Sequence, residues 1–191
     1  MTGPSDLELL ARLKGGDESA LAHLLREYWP PLVAYAARLL QSHDAAQDMV
    51  QEAFVRLWQR RDEWSLEGSV RGLLYRITRN AALDVRRAQL ARHQLVPASD
   101  DDAAAPPPDV RLEGMELEMK AADAVSRLPA RRREVFLLAR QDGLSYQEIA
   151  LVLHLSPQTV ANHMSLALRD LRQALSPFLD RDLSSEAEGA Q

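Results

Sequence analysis

"LSYQEIALVLHLSPQTVANHMSLALRDLR", Leu144 to Arg172, reads as two helices with a short turn near His154 and Leu155. Ser145 with Glu148 three residues on is a capping box, and Ser156 followed by Pro157 is an N-cap with proline at its tolerated first-turn position. On the second helix Val160, Met164, Ala167, Leu168, Leu171 and Leu175 make one apolar stripe that must pack inward. Gln158, Thr159, Asn162, His163, Leu166 and Arg169 then face out. Short polar side chains near the start of such a helix reach base edges in a major groove, and the helix N-terminus favours a phosphate. The stretch therefore reads as a helix-turn-helix, against the plainer alternative of two bundle helices with no role on DNA.

That outward face carries Arg169 and, when protonated, His163 as its only positive charges, in a chain of 191 residues and formal net charge −5. Duplex affinity comes largely from phosphate neutralisation, so this unit alone should bind weakly at physiological salt. The net charge hides segregation. Residues 71–92 hold six Arg against one Asp, and residues 127–140 hold five Arg against one Glu. Residues 100–118 hold seven acids against one Arg, and residues 180–191 four against one. A binding face depends on local field more than on total charge, so nucleic acid is not excluded. Arg131, Arg132 and Arg133 are candidate phosphate contacts, or simply a solvated helix start held by nearby acids.

Outward from this stretch the chain reads as all-α, two small helical domains joined by a flexible linker. Apolar residues recur at three-to-four spacing and no segment alternates as a half-buried strand would. The segment "LVPASDDDAAAPPPDVRLEG", residues 95–114, has no helical period and separates a unit at 5–94 from one at 115–178; residues 179–191 read as a disordered acidic tail. Helices are expected at about 5–14, 18–40, 44–61 and 70–91, then 116–128, 130–141, 146–153 and 157–174. Pro30 and Pro31 should kink or break the second, and Asp44 with Gln47 is an acceptable cap pair for the third.

In the third helix, "DAAQDMVQEAFVRLW", Val50, Ala53, Phe54 and Leu57 share one face, while Asp48, Gln51, Glu52 and Val55 share the opposite, acidic one. That patch suits a basic protein surface, although exposed acids on a helix are common. The fourth helix has reverse polarity: Leu74, Ile77, Ala81 and Ala88 point inward, with Arg76, Arg79, Asn80, Leu83, Arg86 and Arg87 on or beside the far face. Arginines to hold phosphates, with an amide able to pair with a base edge, suit an opened strand as well as a duplex. Tyr75 and Trp64 are either stacking platforms for an unpaired base or caps of a small core.

Taken in order, "DAAQDMVQEAFVRLW", "SVRGLLYRITRNAALDVRR", a linker and "LPARRREVFLLARQDGLSYQEIALVLHLSPQTV" resemble a bacterial sigma factor of the extracytoplasmic-function group of the sigma-70 family, over roughly residues 5–178. The resemblance implies a region 2 bundle and a region 4 helix-turn-helix, with core RNA polymerase and promoter DNA as partners. It implies that Asp48, Gln51 and Glu52 dock on the polymerase clamp helices. Recognition and opening of the −10 element would fall to Arg76, Arg79, Asn80, Asp84, Arg86 and Arg87. The −35 element would be read by Gln158, Thr159, Asn162, His163 and Arg169. It further implies an anti-sigma partner, often membrane-anchored in the iron-uptake subset that the last helix resembles. The family's linker enters the RNA exit path, where Asp100, Asp101 and Asp102 would mimic RNA unless they are an ordinary solvated run. Leu73 stands where the family often has Trp, and Ala161, His163 and Leu166 where many members carry Lys or Arg; these departures bear on which −35 sequence is read.

The expected activity needs no cofactor and no metal, and the chain is not read as an enzyme. Its five histidines are scattered and there is no Gly-rich phosphate loop. The absence of cysteine removes disulfides and thiolate sites. With no long apolar run and no secretion-type N-terminus, the expected location is cytoplasmic without direct membrane insertion. The rival reading is a dimeric helix-turn-helix regulator with an N-terminal helical sensing domain. Whether the two units dock on one another is open at this level.

Overall fold

A computed structural model describes residues 5–64, 69–93 and 113–188. Among them lie eight helices and no strand: α1 Asp6–Lys14, α2 Glu18–Leu40, α3 His43–Gln59, α4 Val70–His93, α5 Glu113–Ser126, α6 Ala130–Arg140, α7 Tyr146–Leu153 and α8 Pro157–Glu188. The expected linker and its acidic run Asp100 to Asp102 lie outside the described residues, apart from the linker's last two positions, which open α5.

Local signals account for most helix starts. Ser5 and Glu8 close a capping box on α1, Asp17 caps α2, and Ser145 and Glu148 close a second box on α7. The Ser156 side chain accepts the Thr159 backbone N–H at 3.1 Å at the start of α8. α3 departs from expectation: its cap is Ser42, whose hydroxyl accepts from Ala45 N–H at 3.3 Å. Asp44 instead sits inside the first turn, where its charge suits the helix dipole.

Pro30 and Pro31 do not break α2, which runs unbroken from Glu18 to Leu40. The carbonyls that lose their helical donors belong to Arg26 and Glu27, both exposed residues, so water can take the missing bonds. α8 continues to Glu188, past the end expected near 174 and with Pro177 inside it; of the tail expected to be disordered from 179, only residues 189–191 lie outside the described residues.

α2 packs on α1, α3 and α4 to form the N-terminal half, and α8 packs on α5, α6 and α7 to form the C-terminal half. The halves are docked through α4 on α7, and one buried core runs through both, from Leu9 and Leu24 through Val50 and Leu74 to Leu138, Ile149 and Val160. A smaller cluster of Ala124, Leu128, Ala167 and Leu171 anchors α5 to α8. Gly72 permits the close approach, since a Cβ there would sit 3.2 Å from Leu151 Cδ2.

Candidate polymerase and nucleic-acid interfaces

α3 presents its two faces as expected. Val50, Ala53, Phe54 and Leu57 are buried, Asp48, Gln51 and Val55 are exposed, and Glu52 is half-buried with its carboxylate 2.7 Å from Arg56 Nε. Beside this patch is a feature that the periodicity of α3 alone does not reveal. α2 and α3 together form an apolar hollow of about 270 Å³ lined by Leu25, Trp29, Val55 and Trp58, with Gln51 on its edge. The signal for it was two tryptophans on neighbouring helices that the core does not fully absorb.

α4 differs more from expectation, because its far face is divided. Asn80, Asp84, Arg86 and Arg87 are exposed, with Arg87 Nη1 2.7 Å from Asp84 Oδ1, and Arg76 is half-buried. Arg79, expected to be free, is only 13% exposed in its side chain and donates from Nε to Glu134 Oε1 at 2.8 Å. The cause is the C-terminal half lying over this side of α4. Tyr75 is likewise 1% exposed and donates to Asp142 at 3.3 Å, so neither it nor buried Leu73 offers a free stacking face. Trp64 packs under Arg60, with its indole N–H donating to the Leu57 carbonyl at 3.3 Å, as a core cap does. Ala88 is exposed rather than inward, since α4 has by then run past the bundle.

The seam between the halves is polar where it is not core. Arg38 pairs with Asp142, Arg71 Nη2 donates to the Asp142 carbonyl at 2.8 Å, and Ser69 donates to Glu148 at 2.5 Å. Burial raises the Asp142 carboxyl above its ordinary range although Arg38, Tyr75 and Arg71 pull the other way. Burial also opposes ionisation of Glu148, but hydrogen bonds from Ser69 and Ser145 outweigh it and hold that carboxyl below its usual range.

On α8 the candidate readers Gln158, Asn162 and Arg169 are exposed and Thr159 is half-buried. They are partly preorganised: Gln158 Nε2 donates to Asn162 Oδ1 at 3.2 Å, and the Ser156 and Thr159 hydroxyls lie 2.8 Å apart. His163 is less outward than its position suggests, being half-buried with Nδ1 enclosed and unbonded. Leu168, assigned inward, is exposed, whereas Leu166 is half-buried; Val160, Met164, Ala167 and Leu171 carry the buried stripe. The arginine run at the start of α6 is turned to structure. Arg131 bonds Glu134 at 3.0 Å and the Leu153 carbonyl at 3.2 Å, Arg132 pairs with Asp170 at 2.5 Å, and Arg133 donates to the Ser126 carbonyl at 2.6 Å.

Comparison with known proteins meets this geometry. Residues 24–92 match the family model for sigma-70 region 2 and residues 118–171 that for sigma-70 region 4. The chain is 30% identical over 181 residues to RNA polymerase sigma factor NccH of Alcaligenes xylosoxydans xylosoxydans, covering 92% of this chain and 97% of that protein. It is 27% identical over 190 residues to the ECF RNA polymerase sigma-E factor of Escherichia coli K12, covering 93% and 97%. Among solved structures it resembles CnrH in complex with the cytosolic domain of CnrY, with TM-score 0.62, 25% identity and coverage of 94% and 99%. The fold is also that of the sigma factor RpoE bound to the anti-sigma factor NepR from Bartonella quintana, with TM-score 0.61, 24% identity and coverage of 81% and 96%. With both regions present in order on one helical scaffold, the chain belongs to the extracytoplasmic-function group of the sigma-70 family.

Proposed function

We infer that the chain is an RNA polymerase sigma factor, a transcription initiation factor that directs core polymerase to specific promoters and helps open the −10 region. The observation that carries this is the presence of both sigma regions in one chain with near-full-length relatives. A dimeric regulator would have no use for the region 2 half. In the residue-level reading, Asp48, Gln51 and Glu52 dock on a basic surface of the polymerase, with the Trp29, Val55 and Trp58 hollow receiving an apolar side chain beside it. Arg76, Arg79, Asn80, Asp84, Arg86 and Arg87 act at −10, and Gln158, Thr159, Asn162, His163 and Arg169 at −35. Promoter opening draws on binding energy, with polymerase supplying most of the DNA affinity and tethering two weak readers at high effective concentration.

Arg79 reaches DNA only when Glu134 releases it, so this reading requires the halves to part or shift on engagement. Because CnrH was solved with the cytosolic domain of CnrY, a protein partner that controls release is part of the proposal, as is work in the cytoplasm. No helix among the described residues is long and apolar enough to cross a membrane.

Run-off transcription with purified chain and core polymerase lacking any sigma factor tests the reading: discrete transcripts from a genomic promoter library are expected, and their absence with folded chain would refute it. Gln51→Ala with Glu52→Ala should weaken core binding about tenfold while leaving helicity unchanged. Asn80→Ala should reduce permanganate reactivity of unpaired −10 thymines more than closed-complex formation.

A further inference from the structure

Three arginines at the seam differ from their neighbours in the N-terminal half. Arg56 pairs with Glu52, Arg60 with Glu63 and Arg87 with Asp84, each within three or four residues along the chain. Arg38, Arg71 and Arg79 pair with no acid of their own half among the described residues. Each meets a carboxylate of the C-terminal half instead. Arg38 pairs with Asp142, Arg71 Nε lies 4.0 Å from Glu148 Oε1, and Arg79 Nε lies 2.8 Å from Glu134 Oε1. Arg71 Nη2 also donates to the Asp142 carbonyl, and the Tyr75 hydroxyl to the Asp142 carboxylate. When the halves part, as engagement of Arg79 at −10 requires, all three guanidiniums lose their acids together.

Arg71, Tyr75 and Arg79 are four residues apart on α4, so they share one stripe about 80° wide, with Arg38 of α2 beside its Asp142 end. Exposed Arg86 prolongs the stripe past the cover, and the side bearing Arg76, Asn80 and Arg87 follows directly round the helix. From Arg71 to Arg79 the axis advances about 12 Å, the span of roughly three or four phosphates at about 3.4 Å of rise per nucleotide. The acids come from three places, Glu134 on α6, Asp142 in the turn after it and Glu148 on α7. They stand as separate anions along α4, one to each arginine.

We propose that Arg38 and Arg71 join Arg79 as phosphate-positioning residues for the opened −10 strand, and that Asp142, Glu148 and Glu134 hold the phosphate places while the chain is closed. Guanidinium forks suit phosphate, and such contacts fix a strand's register without reading its sequence. Cover and strand compete for the same three side chains, so closure and binding at this stripe exclude one another. The inference rests on the sigma reading of the chain, which run-off transcription judges separately.

Fluorescence anisotropy of the full chain with a deoxythymidine oligonucleotide of about twenty residues is the test, since phosphate contacts need no particular sequence. Asp142→Asn keeps the shape of the cover and removes one of its charges; it should bind severalfold tighter than wild type. Glu148→Gln is a second opener with the same expectation. Adding Arg71→Gln or Arg38→Gln to either should weaken binding and lower the slope of log affinity against log salt by about 0.7, the share of one phosphate on a single strand. An arginine that only latches the halves would leave that slope unchanged, and its loss would tighten binding. Affinity equal to wild type in both openers, or an unchanged slope in all the double variants with helicity intact, would overturn the proposal. Transcripts in run-off with either of those results would sink this inference and leave the sigma reading standing.

Discussion

Glu134 holds two guanidiniums, Arg79 at 2.8 Å and Arg131 at 3.0 Å, in the place a promoter phosphate would take on Arg79. Glu134→Gln keeps the shape and removes the charge. It should cost about 1–2 kcal/mol of stability, as a half-buried partner lost to an arginine does, and raise binding of free protein to a forked −10 oligonucleotide severalfold, read by fluorescence anisotropy. Unchanged anisotropy would mean that Arg79 is not masked. Glu148 offers a pH test with a defined sign. Its folded carboxyl is more acidic than in the unfolded chain, so it stabilises above the ordinary value of 4.5 and that contribution is lost as pH falls through the folded value. Urea melts of Glu148→Gln should therefore fall below wild type at pH 7 and converge with it in acid. Asp142 runs the other way, since its raised carboxyl favours the folded state as pH drops. At this scale Asp48, Gln51 and Asn80 were readable from the sequence as exposed, because helical period alone decides which way they point. Arg79 and Tyr75 were not, because their polar partners Glu134 and Asp142 lie 55 and 67 positions further along the chain.

Helix α4 meets α7 where Gly72 has no side chain, and a methyl there would lie 3.2 Å from Leu151 Cδ2 and 3.4 Å from Glu148 Cγ. Gly72→Val should force the two helices apart. Since Gly72 lies in the first turn of α4, the helix itself will persist; the expected effect is a larger radius of gyration by small-angle scattering with unchanged helicity. An unchanged radius would show that Leu151 yields instead. Helix existence was legible throughout, since capping signals such as Ser145 with Glu148 act within one turn. Three features of elements were not. Pro30 and Pro31 are tolerated because the carbonyls they orphan belong to exposed residues, and α3 starts at His43 because the hydroxyl of its cap, Ser42, reaches Ala45 N–H. The exchange of Leu168 for Leu166 on α8 follows from which side α5 and α6 approach, which no period encodes.

At the scale of the molecule, the closed arrangement combines an apolar contact with several partly exposed ion pairs, so added salt should loosen it. Energy transfer between dyes on exposed Gln59 and Arg172 should fall between 0.05 and about 0.5 M salt as screening lengths shorten to a few ångströms. Constant transfer would assign the seam to its apolar part alone. Two-unit organisation was legible from the composition of the intervening segment, whereas docking was not, because a linker of that kind permits either state. The shared core has a consequence during synthesis. α4 leaves the ribosome before α7 is made, and roughly 60 residues separate His93 from Leu153. At translation rates of about 5–20 residues per second the part of α4 around Gly72 that α7 will cover, unlike the side already packed on α2 and α3, waits for on the order of ten seconds. A nascent chain in that interval is a natural client for whatever chaperone waits at the tunnel exit.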